Sequence, residues 1–448
     1  MKHPDQPYDY IIIGAGSAGC VLANRLSEQE DNQVLLIEAG GRDINPWIHI
    51  PVGYFKTMHK PATDWCYQTE PDAGIDGRRL QWPRGKVLGG SSSINAMVWV
   101  RGDAADFENW GRQANGWDWE SVSHIYRRIE DFELGGDQGR GVGGPIHVST
   151  IDADAHPLCQ NYIDAMEQAG FARNPDYNGR SIEGAFTYQI NTKNGLRAST
   201  GRCYIDPARR RSNLKIETNA HVRRIVFEGK RAAGVEYQHG NETKTILARR
   251  EVILSAGAVN SPQILQLSGI GPQTLLSAHG IDVVSDNAYV GQHLQDHLGL
   301  DKLYRSHVPT FNDELLPLLG KLKAGLRFVL QKRGPLTLSV NQGGGFVRSA
   351  PDVERPDLQI YFSPVSYTRA PKGQRPMMSP DPFPGFLMGY SACRPTSRGE
   401  ITLGSADPFA APRIQPNYFD TEEDQTLALA AMRFLRDLAA TDAMSSVI

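Results

Sequence analysis

The stretch YDYIIIGAGSAGCVLANRLSEQEDNQVLLIEAGG, residues 8–41, decides the fold of the first third of the chain. A β-branched apolar run leads into a glycine-rich turn, a segment with apolar residues at helical spacing follows, and a second apolar run ends just before Glu38. This order predicts a strand, a helix and a second strand, with the glycines in the first turn. Two strands joined through a helix pair in parallel, so the stretch predicts an α/β fold.

The glycine turn has the spacing of a dinucleotide-binding motif. Gly14 permits the tight turn, and Gly19 lets the helix pack closely on the strand. Gly16, followed by Ser17, lets the backbone approach a pyrophosphate at the helix N-terminus. Glu38, 24 residues after Gly14, stands where a carboxylate accepts hydrogen bonds from ribose hydroxyls. That carboxylate would repel the 2′-phosphate of NADP, which leaves NAD and FAD.

A second glycine-rich stretch, GKVLGGSSSIN at residues 85–95, is poor material for a helix interior or a regular strand. It is typical either of a tight surface turn or of a wall built close around a bulky ligand, because glycines allow close approach and serines add small hydrogen-bonding groups. Two glycine-rich elements far apart in the chain indicate an extended cofactor contacted in more than one place. The pattern therefore favours FAD over NAD.

Length and composition restrict the remaining classes. A chain of 448 residues with 40% hydrophobic and 22% charged residues predicts a globular protein of two domains or one elaborate domain. A net charge of −3 gives no indication of nucleic-acid binding. Five scattered cysteines predict neither a disulfide framework nor a metal site and favour a cytoplasmic location; they are Cys20, Cys66, Cys159, Cys203 and Cys393. Neither a signal peptide nor a membrane span is predicted.

Two long stretches carry a resemblance to a known family. GKVLGGSSSINAMVWVRGDAADFE (85–108) and GAVNSPQILQLSGIG (257–271) resemble the signatures of the glucose-methanol-choline (GMC) flavin oxidoreductases, closest to the bacterial alcohol and choline dehydrogenase branch. The resemblance implies a Rossmann-like FAD-binding domain with a parallel sheet, formed by residues 1–155 and 197–300. It also implies a substrate domain with helices and a mainly antiparallel sheet, formed by residues 156–196 and 301–448.

The resemblance also implies which residues contact the cofactor. In the family the second glycine-rich stretch lines the pyrophosphate and the isoalloxazine, which here implies Val87, Gly89, Gly90, Ser91, Asn95, Ala96, Met97 and Val98. Val222 is implied as a backbone contact to adenine, with sheet core as the alternative. Apart from the resemblance, EVILSAG at residues 251–257 predicts a buried strand that ends in small residues, and we expect this end, with Ala256, to approach the cofactor. Some choline-oxidising relatives carry a flavin-linked histidine where this chain has Ile94, so we expect FAD to be bound non-covalently.

The chemistry that the resemblance implies is oxidation of the CH–OH group of a primary alcohol, with hydride transfer to flavin N5 and a histidine as general base. The family's base lies in a C-terminal segment, but the histidines of this chain end at His307. We therefore assign no catalytic base and expect the chain to be part of a longer polypeptide and nearly inactive alone. The alternative is a shortened, non-catalytic flavin-binding or interaction protein. We interpret the adjacent Asp296 and His297 as structural.

Substrate and electron acceptor are less constrained. Gln342 stands where choline-oxidising relatives carry a glutamate, which favours an uncharged primary alcohol, with choline as the alternative. The acceptor is a quinone or oxygen. The stretch 312–338 carries leucines at helical spacing among basic residues, which is typical of peripheral contact with the inner membrane or of packing on its own domain. Its apolar residues are Leu315, Leu318, Leu319, Leu322, Leu326 and Val329, and its basic residues are Lys321, Lys323, Arg327, Lys332 and Arg333.

Overall fold

The structure, a computed structural model, describes residues 7–368 and 379–448. Its first sheet has six strands, which are, in spatial order, Leu214–Glu217, Val34–Ile37, Tyr8–Ile13, Glu242–Leu254, Arg231–His239 and Ala220–Glu228. The first four strands pair in parallel, and the last two join them as an antiparallel extension. The predicted α/β class with a parallel sheet is confirmed.

The strand–helix–strand unit forms as its sequence predicts. The helix Ser17–Leu26 connects the strands Tyr8–Ile13 and Val34–Ile37, and these pair with Ile13 opposite Ile37. The isoleucines and leucines at the centre of the two strands are fully buried, because the sheet is covered on both faces. Burial of both faces explains why these strands read as continuous apolar runs.

The second sheet has five strands, and all of its neighbouring strands pair antiparallel. In spatial order they are Gly299–Arg305, Gly385–Ala392, Leu358–Ser363, Gly343–Val347 and Gly184–Thr187. One face packs against the helices Leu158–Gln168 and Glu422–Ala440 in a single apolar cluster. The strands of the two sheets come from different parts of the chain, and on this basis we propose the two domains with the boundaries given above.

Three consecutive glycines form part of the second sheet. A Cβ added to Gly343 would lie 2.8 Å from the ring of Tyr162, and one added to Gly344 would lie 2.4 Å from the ring of Tyr188. A Cβ on Gly345 would lie 3.0 Å from the methyl group of Met166. The missing side chains therefore let aromatic rings pack directly on both faces of this strand.

Further helices lie between the strands of the two sheets along the chain. The longer ones are Ala104–Gly111, Trp119–Ile129, Gly257–Leu267 and Leu318–Gln331. Short helical turns lie at Pro46–His49, Pro51–Gly53, Tyr54–Thr57, Gly90–Ser93, Phe311–Leu315 and Pro335–Thr337. Within residues 7–368 and 379–448, no helix combines the length and the apolar composition needed to cross a bilayer.

Two local predictions differ from the structure. The segment EVILSAG, residues 251–257, is predicted as a buried strand, but Val252 to Ala256 are only half-buried because this end of the strand faces a cavity. The pattern from Thr421 to Asp424 predicts a reciprocal capping box. Thr421 does cap the last long helix, but the Asp424 carboxylate accepts hydrogen bonds from the N–H groups of Thr396 and Ser397.

Candidate cofactor-binding site

A cavity of about 520 Å³ lies at the carboxyl ends of the parallel strands of the first sheet. In open α/β sheets this edge is the usual place for ligands. Eight of the residues predicted to bind the cofactor line this larger cavity: Gly14, Gly16, Ser17, Glu38, Gly90, Ser91, Val222 and Ala256. The structure thus brings together residues that are more than 200 positions apart in the chain.

The three motif glycines differ in what surrounds them. Gly14 has a φ of +93°, and a Cβ there would lie 2.7 Å from the carbonyl oxygen of Ser255. A Cβ on Gly19 would lie 1.9 Å from the Gly14 carbonyl oxygen, so this glycine serves helix–strand packing and does not line the cavity. Nothing lies within 4 Å of a Cβ on Gly16, which directly precedes the helix. Gly16 thus leaves open space at the helix N-terminus, where an anion is stabilised.

Glu38 directly follows the second strand and is 6% exposed. Its carboxylate accepts hydrogen bonds from the N–H of Ala15 at 2.8 Å and from the N–H of Gly40 at 2.9 Å. Burial raises the pKa of Glu38 to about 7, although these two N–H groups and the charge of Lys86 act in the opposite direction. The backbone therefore fixes the carboxylate at the cavity wall.

The second glycine-rich stretch closes one side of the larger cavity. Residues Gly90–Ser93 form a helical turn, and the Gly89 N–H donates to the Ala15 carbonyl oxygen at 2.8 Å. A Cβ on Gly90 would lie 2.6 Å from the Cα of Gly16. The two glycine-rich elements therefore touch through their backbones, which explains why this stretch has so little side-chain volume.

His221 and Trp65 line the cavity beside Val222, and neither was predicted from the sequence. The His221 ring makes an edge contact with Trp65 at 5.6 Å between centroids, and its Nε2 lies 3.0 Å from the carbonyl oxygen of Pro408. Burial lowers the pKa of His221. Residues 65 and 408 are remote in sequence, so only the tertiary fold could reveal this cluster.

The turn predicted to contact the isoalloxazine lies outside the larger cavity. Asn95 is exposed, and its Oδ1 accepts hydrogen bonds from Arg197 Nη1 at 2.8 Å and from the Met97 N–H at 3.1 Å. Met97 is buried with a φ of +64°, while Ala96 and Val98 are half-buried. Arg197 and Met97 both donate to the side-chain oxygen of Asn95. The two N–H donors of the Asn95 amide group therefore remain available for another acceptor.

Arg197 is a functional candidate that the sequence analysis missed. It is 1% exposed, and besides Asn95 it donates to the carbonyl oxygens of Ile48 and Ser92. Burial lowers its pKa to about 9. Val87 and Gly89, also predicted, support this region: Val87 is buried beside Ile94, and Gly89 has a φ of +90°. Arg197 and Val87 are buried and do not line the larger cavity, so they support the turns around it through hydrogen bonds and packing.

A smaller cavity of about 70 Å³ is lined mainly by residues of the predicted substrate domain. Met97 belongs to the same apolar cluster as residues that line this cavity, including Phe311, Val340 and Val365. Gln342 also lines it and is 1% exposed. Its Oε1 accepts a hydrogen bond from the His156 N–H at 2.8 Å, whereas its Nε2 has no partner among the described residues.

The histidines give no base at the smaller cavity. None of the described histidines lines it, although the His156 ring packs against Phe311 at 4.8 Å, and burial lowers the pKa of His156 to about 4. His297 is exposed, and Asp296 accepts a hydrogen bond from the Tyr418 hydroxyl at 2.5 Å. Asp296 is therefore hydrogen-bonded to the side chain of Tyr418, and we keep the interpretation of Asp296 as a structural residue. The described residues hold no cluster of metal-ligating side chains.

The larger cavity fits the ADP portion of an extended dinucleotide. The glycine backbones leave room at a helix N-terminus for a diphosphate, and the fixed Glu38 carboxylate accepts hydrogen bonds from ribose hydroxyls. The Asn95–Val98 turn adds an exposed amide on the side of the second sheet, where a flat ring system would follow the diphosphate.

Comparison with known proteins gives the same assignment. The sequence profiles of GMC oxidoreductases match residues 8–299 and 395–447. The chain is 40% identical over 439 residues to an oxygen-dependent choline dehydrogenase of Photobacterium profundum, which covers 98% of this chain and 76% of that relative.

Solved structures agree with the sequence comparisons. Pyridoxine 4-oxidase from Mesorbium loti matches with a TM-score of 0.87 and 28% identity, over 98% of this chain and 82% of that one. A variant of the Aspergillus oryzae formate oxidase, studied for its FAD modification, matches with a TM-score of 0.90 and 26% identity, over 99% and 83% of the two chains. From these matches and the dinucleotide cavity we conclude that this protein belongs to the GMC oxidoreductases and that FAD is its cofactor.

Proposed function

We propose that the protein is an FAD-dependent oxidoreductase acting on the CH–OH group of a small primary alcohol. The observation that carries this proposal is the pair of cavities, one shaped for a dinucleotide and one small and mainly apolar, the second of which shares an apolar cluster with Met97. When bound, FAD supplies the acceptor for the hydride that leaves the alcohol carbon. The chain itself binds the cofactor, positions the alcohol and excludes water.

In this proposal each predicted contact has a position along FAD. Gly14, Gly16, Ser17, Gly90 and Ser91 surround the diphosphate, Glu38 binds the adenosine ribose, and Val222 lies at the adenine with Ala256 nearby. Asn95 is held by Arg197 Nη1 and therefore presents its amide donors to a polar edge of the ring system. Val87, Gly89 and Gly19 act through packing.

The cofactor is held without a covalent bond in this proposal. Ile94 is buried, and its aliphatic side chain offers no atom that could form a bond to the flavin. Acid precipitation of the purified protein should release all of the flavin into the supernatant, as measured by its absorption. Flavin that stays in the pellet after washing would contradict non-covalent binding.

The smaller cavity can orient an alcohol through Gln342. Its Nε2 is a buried donor without a partner among the described residues, and an alcohol oxygen in the cavity would accept its hydrogen bond. The surrounding Val52, Phe55 and Val365 are apolar, and among the described residues no charged side chain lines the cavity. An uncharged alcohol therefore enters at a lower desolvation cost than an ion.

Choline is the second candidate substrate, supported by two observations. The Photobacterium profundum relative is named a choline dehydrogenase, and the rings of Phe55, Phe311 and Tyr367 line the smaller cavity. Aromatic faces attract a quaternary ammonium group. Within residues 7–368 and 379–448, however, no carboxylate lines this cavity, and Gln342 is neutral.

Substrate competition distinguishes the two candidates. We expect kcat/KM to be higher for a medium-chain primary alcohol than for choline, and Gln342→Glu to raise the value for choline while keeping the acceptor for the His156 N–H. Gln342→Met is the matched control, since it keeps the volume without the charge and should not raise choline oxidation. A strong preference of the unchanged protein for choline would reverse the assignment.

For electron transfer we propose a quinone acceptor, with a cytoplasmic or peripheral inner-membrane location. The location is supported by the absence of disulfides among all five cysteines, which are free in the structure. Reduction of a soluble quinone analogue should exceed oxygen uptake under the same alcohol concentration. Faster oxygen uptake would instead identify an oxidase.

A further inference from the structure

The helix Leu318–Gln331, here called the basic helix, has an apolar face that points away from the protein. Only Ala324 and Phe328 are buried in it. The exposed apolar side chains are Leu318, Leu319, Leu322, Leu326, Val329 and Leu330, each more than 60% exposed. The alternative that these residues pack on their own domain is therefore wrong for the described structure.

The exposed side chains form one continuous stripe. With about 100° of rotation per residue, the six side chains fall within an arc of about 120° of the helix circumference. Lys323 lies directly beside this arc on one side, and Arg327 and Lys321 lie about 60° beyond its two borders. Long basic side chains at the borders of an apolar face can extend to headgroups while the apolar face enters lipid.

The charged side chains of the segment that carries the stripe are all basic. Residues 316–333 include Lys321, Lys323, Arg327, Lys332 and Arg333 and no acidic residue, although the whole chain carries −3. Arg327 and Arg333 form ion pairs with Asp154. Lys321 and Lys323 are exposed and form no ion pair within residues 7–368 and 379–448. Both lysines are therefore available to an anionic partner.

We propose that the basic helix docks this face on the surface of an anionic phospholipid bilayer. The apolar stripe matches the acyl region in chemistry, and the flanking lysines match anionic headgroups. A second copy of the chain would match less well, because pairing two such faces brings their cations together. The proposal assigns a surface to the peripheral location proposed above, and it does not depend on the oxidoreductase activity.

Docking would also orient the smaller cavity. Leu315 precedes the basic helix, Pro335 follows it, and both line that cavity. The bilayer would therefore lie beside the cavity, and lipophilic molecules dissolved in it would reach the cavity wall without crossing bulk water.

Flotation of the FAD-loaded protein with vesicles tests the proposal. We expect binding to phosphatidylcholine vesicles that contain about one quarter phosphatidylglycerol and much weaker binding to pure phosphatidylcholine. The double variant Leu319→Glu/Leu326→Glu should reduce binding at least ten-fold. Leu429→Glu is the matched control, because Leu429 lies on another helix with the same 61% exposure as Leu326, and it should bind as the unchanged protein does.

Variants of the two exposed lysines test the electrostatic part of the proposal separately. Lys321→Gln and Lys323→Gln should each reduce binding to the anionic vesicles by about five-fold, and added salt should have the same direction of effect. Failure of the unchanged protein to float with anionic vesicles would overturn the proposal. So would equal loss of binding in Leu429→Glu, or a dimer in sedimentation equilibrium that the double variant dissociates, which would assign the face to a second copy. None of these readouts requires turnover.

Discussion

The two cavities differ in how their polar groups are held. At the larger cavity two glycine-rich turns meet, and the Glu38 carboxylate is fixed there by two backbone N–H groups. At the smaller cavity, the neighbouring Asn95 is exposed, Gln342 keeps an unused donor and no described histidine is part of the lining. The polar groups of the larger cavity are therefore already held by the backbone, whereas the smaller cavity offers a buried donor that still lacks a partner among the described residues.

Turnover should show the largest contrast between the two cavities. We expect the 448-residue chain to bind FAD but to oxidise alcohols about 10²–10⁴-fold more slowly than the Photobacterium profundum relative oxidises choline, because a general base contributes about that factor. The flavin spectrum and steady-state assays with an artificial acceptor measure the two properties separately. Comparable turnover would place a base among these residues, and the variants His156→Asn, His293→Asn and His297→Asn would then identify it.

A glycine pair tests whether backbone geometry builds the larger cavity. Gly19→Ala should lower the free energy of unfolding by about 3 kcal/mol or more, because its Cβ would lie 1.9 Å from a carbonyl oxygen. Gly16→Ala has open space around its Cβ and should change the stability of the flavin-free protein by less than about 0.5 kcal/mol, while weakening FAD binding. Urea unfolding without FAD, followed by flavin titration, separates these effects. Equal stability of the two variants would contradict the packing role of Gly19.

Loss of the Glu38 carboxylate should weaken FAD binding by about 1–3 kcal/mol, because ribose hydroxyls would lose a buried acceptor. Glu38→Ala also leaves the N–H groups of Ala15 and Gly40 without their partner. Glu38→Gln keeps the volume and one acceptor and should give the smaller loss of the two. Isothermal titration with FAD measures both, and an unchanged affinity in Glu38→Ala would remove Glu38 from the site.

The pH dependence of FAD affinity should show the smallest effect. With a pKa of about 7 in the flavin-free protein, Glu38 gains a proton below that pH, and its acceptor capacity for ribose hydroxyls falls. We expect the FAD dissociation constant to rise about ten-fold between pH 8 and pH 6. Glu38→Gln should remove this dependence; a dependence that persists in that variant would assign it to another group.

The stability of the flavin-free protein should change in the opposite direction. The folded protein binds the Glu38 proton more tightly than the unfolded chain does, whose ordinary pKa is 4.5. This carboxyl group therefore makes the folded state more stable as the pH falls from about 7 towards 4.5.

The sequence predicts the larger cavity better than the smaller one. The strand–helix–strand unit, the glycine turn and Glu38 lie within 34 consecutive residues, so their spacing alone predicts a dinucleotide site. The second glycine-rich stretch is interpretable because its composition indicates close approach. The family resemblance supplies the identity of the cofactor, which spacing alone leaves between NAD and FAD.

Residues that act through long-range contacts were not predictable in this way. Arg197 reaches Asn95 across 102 positions, and His221 meets Trp65 from a different part of the chain. Asp424 follows the local pattern of a capping box, yet its carboxylate binds a loop that is 28 residues away. The role of each of these side chains depends on contacts with residues far away in the chain, and local sequence patterns do not show such contacts.

The glycine run at residues 343–345 has a consequence for how this enzyme can change over evolution. Aromatic rings occupy the space of the missing side chains at Gly343 and Gly344, and the flexible Met166 methyl group lies 3.0 Å from the Cβ position of Gly345. We therefore expect replacements beside Gln342 to be costly at the first two glycines and less costly at the third. A saturation mutagenesis scan should find that few substitutions at Gly343 and Gly344 give folded protein, whereas many substitutions at Gln342 do. New substrate preferences would then arise by exchange of the Gln342 side chain on a strand whose path stays fixed.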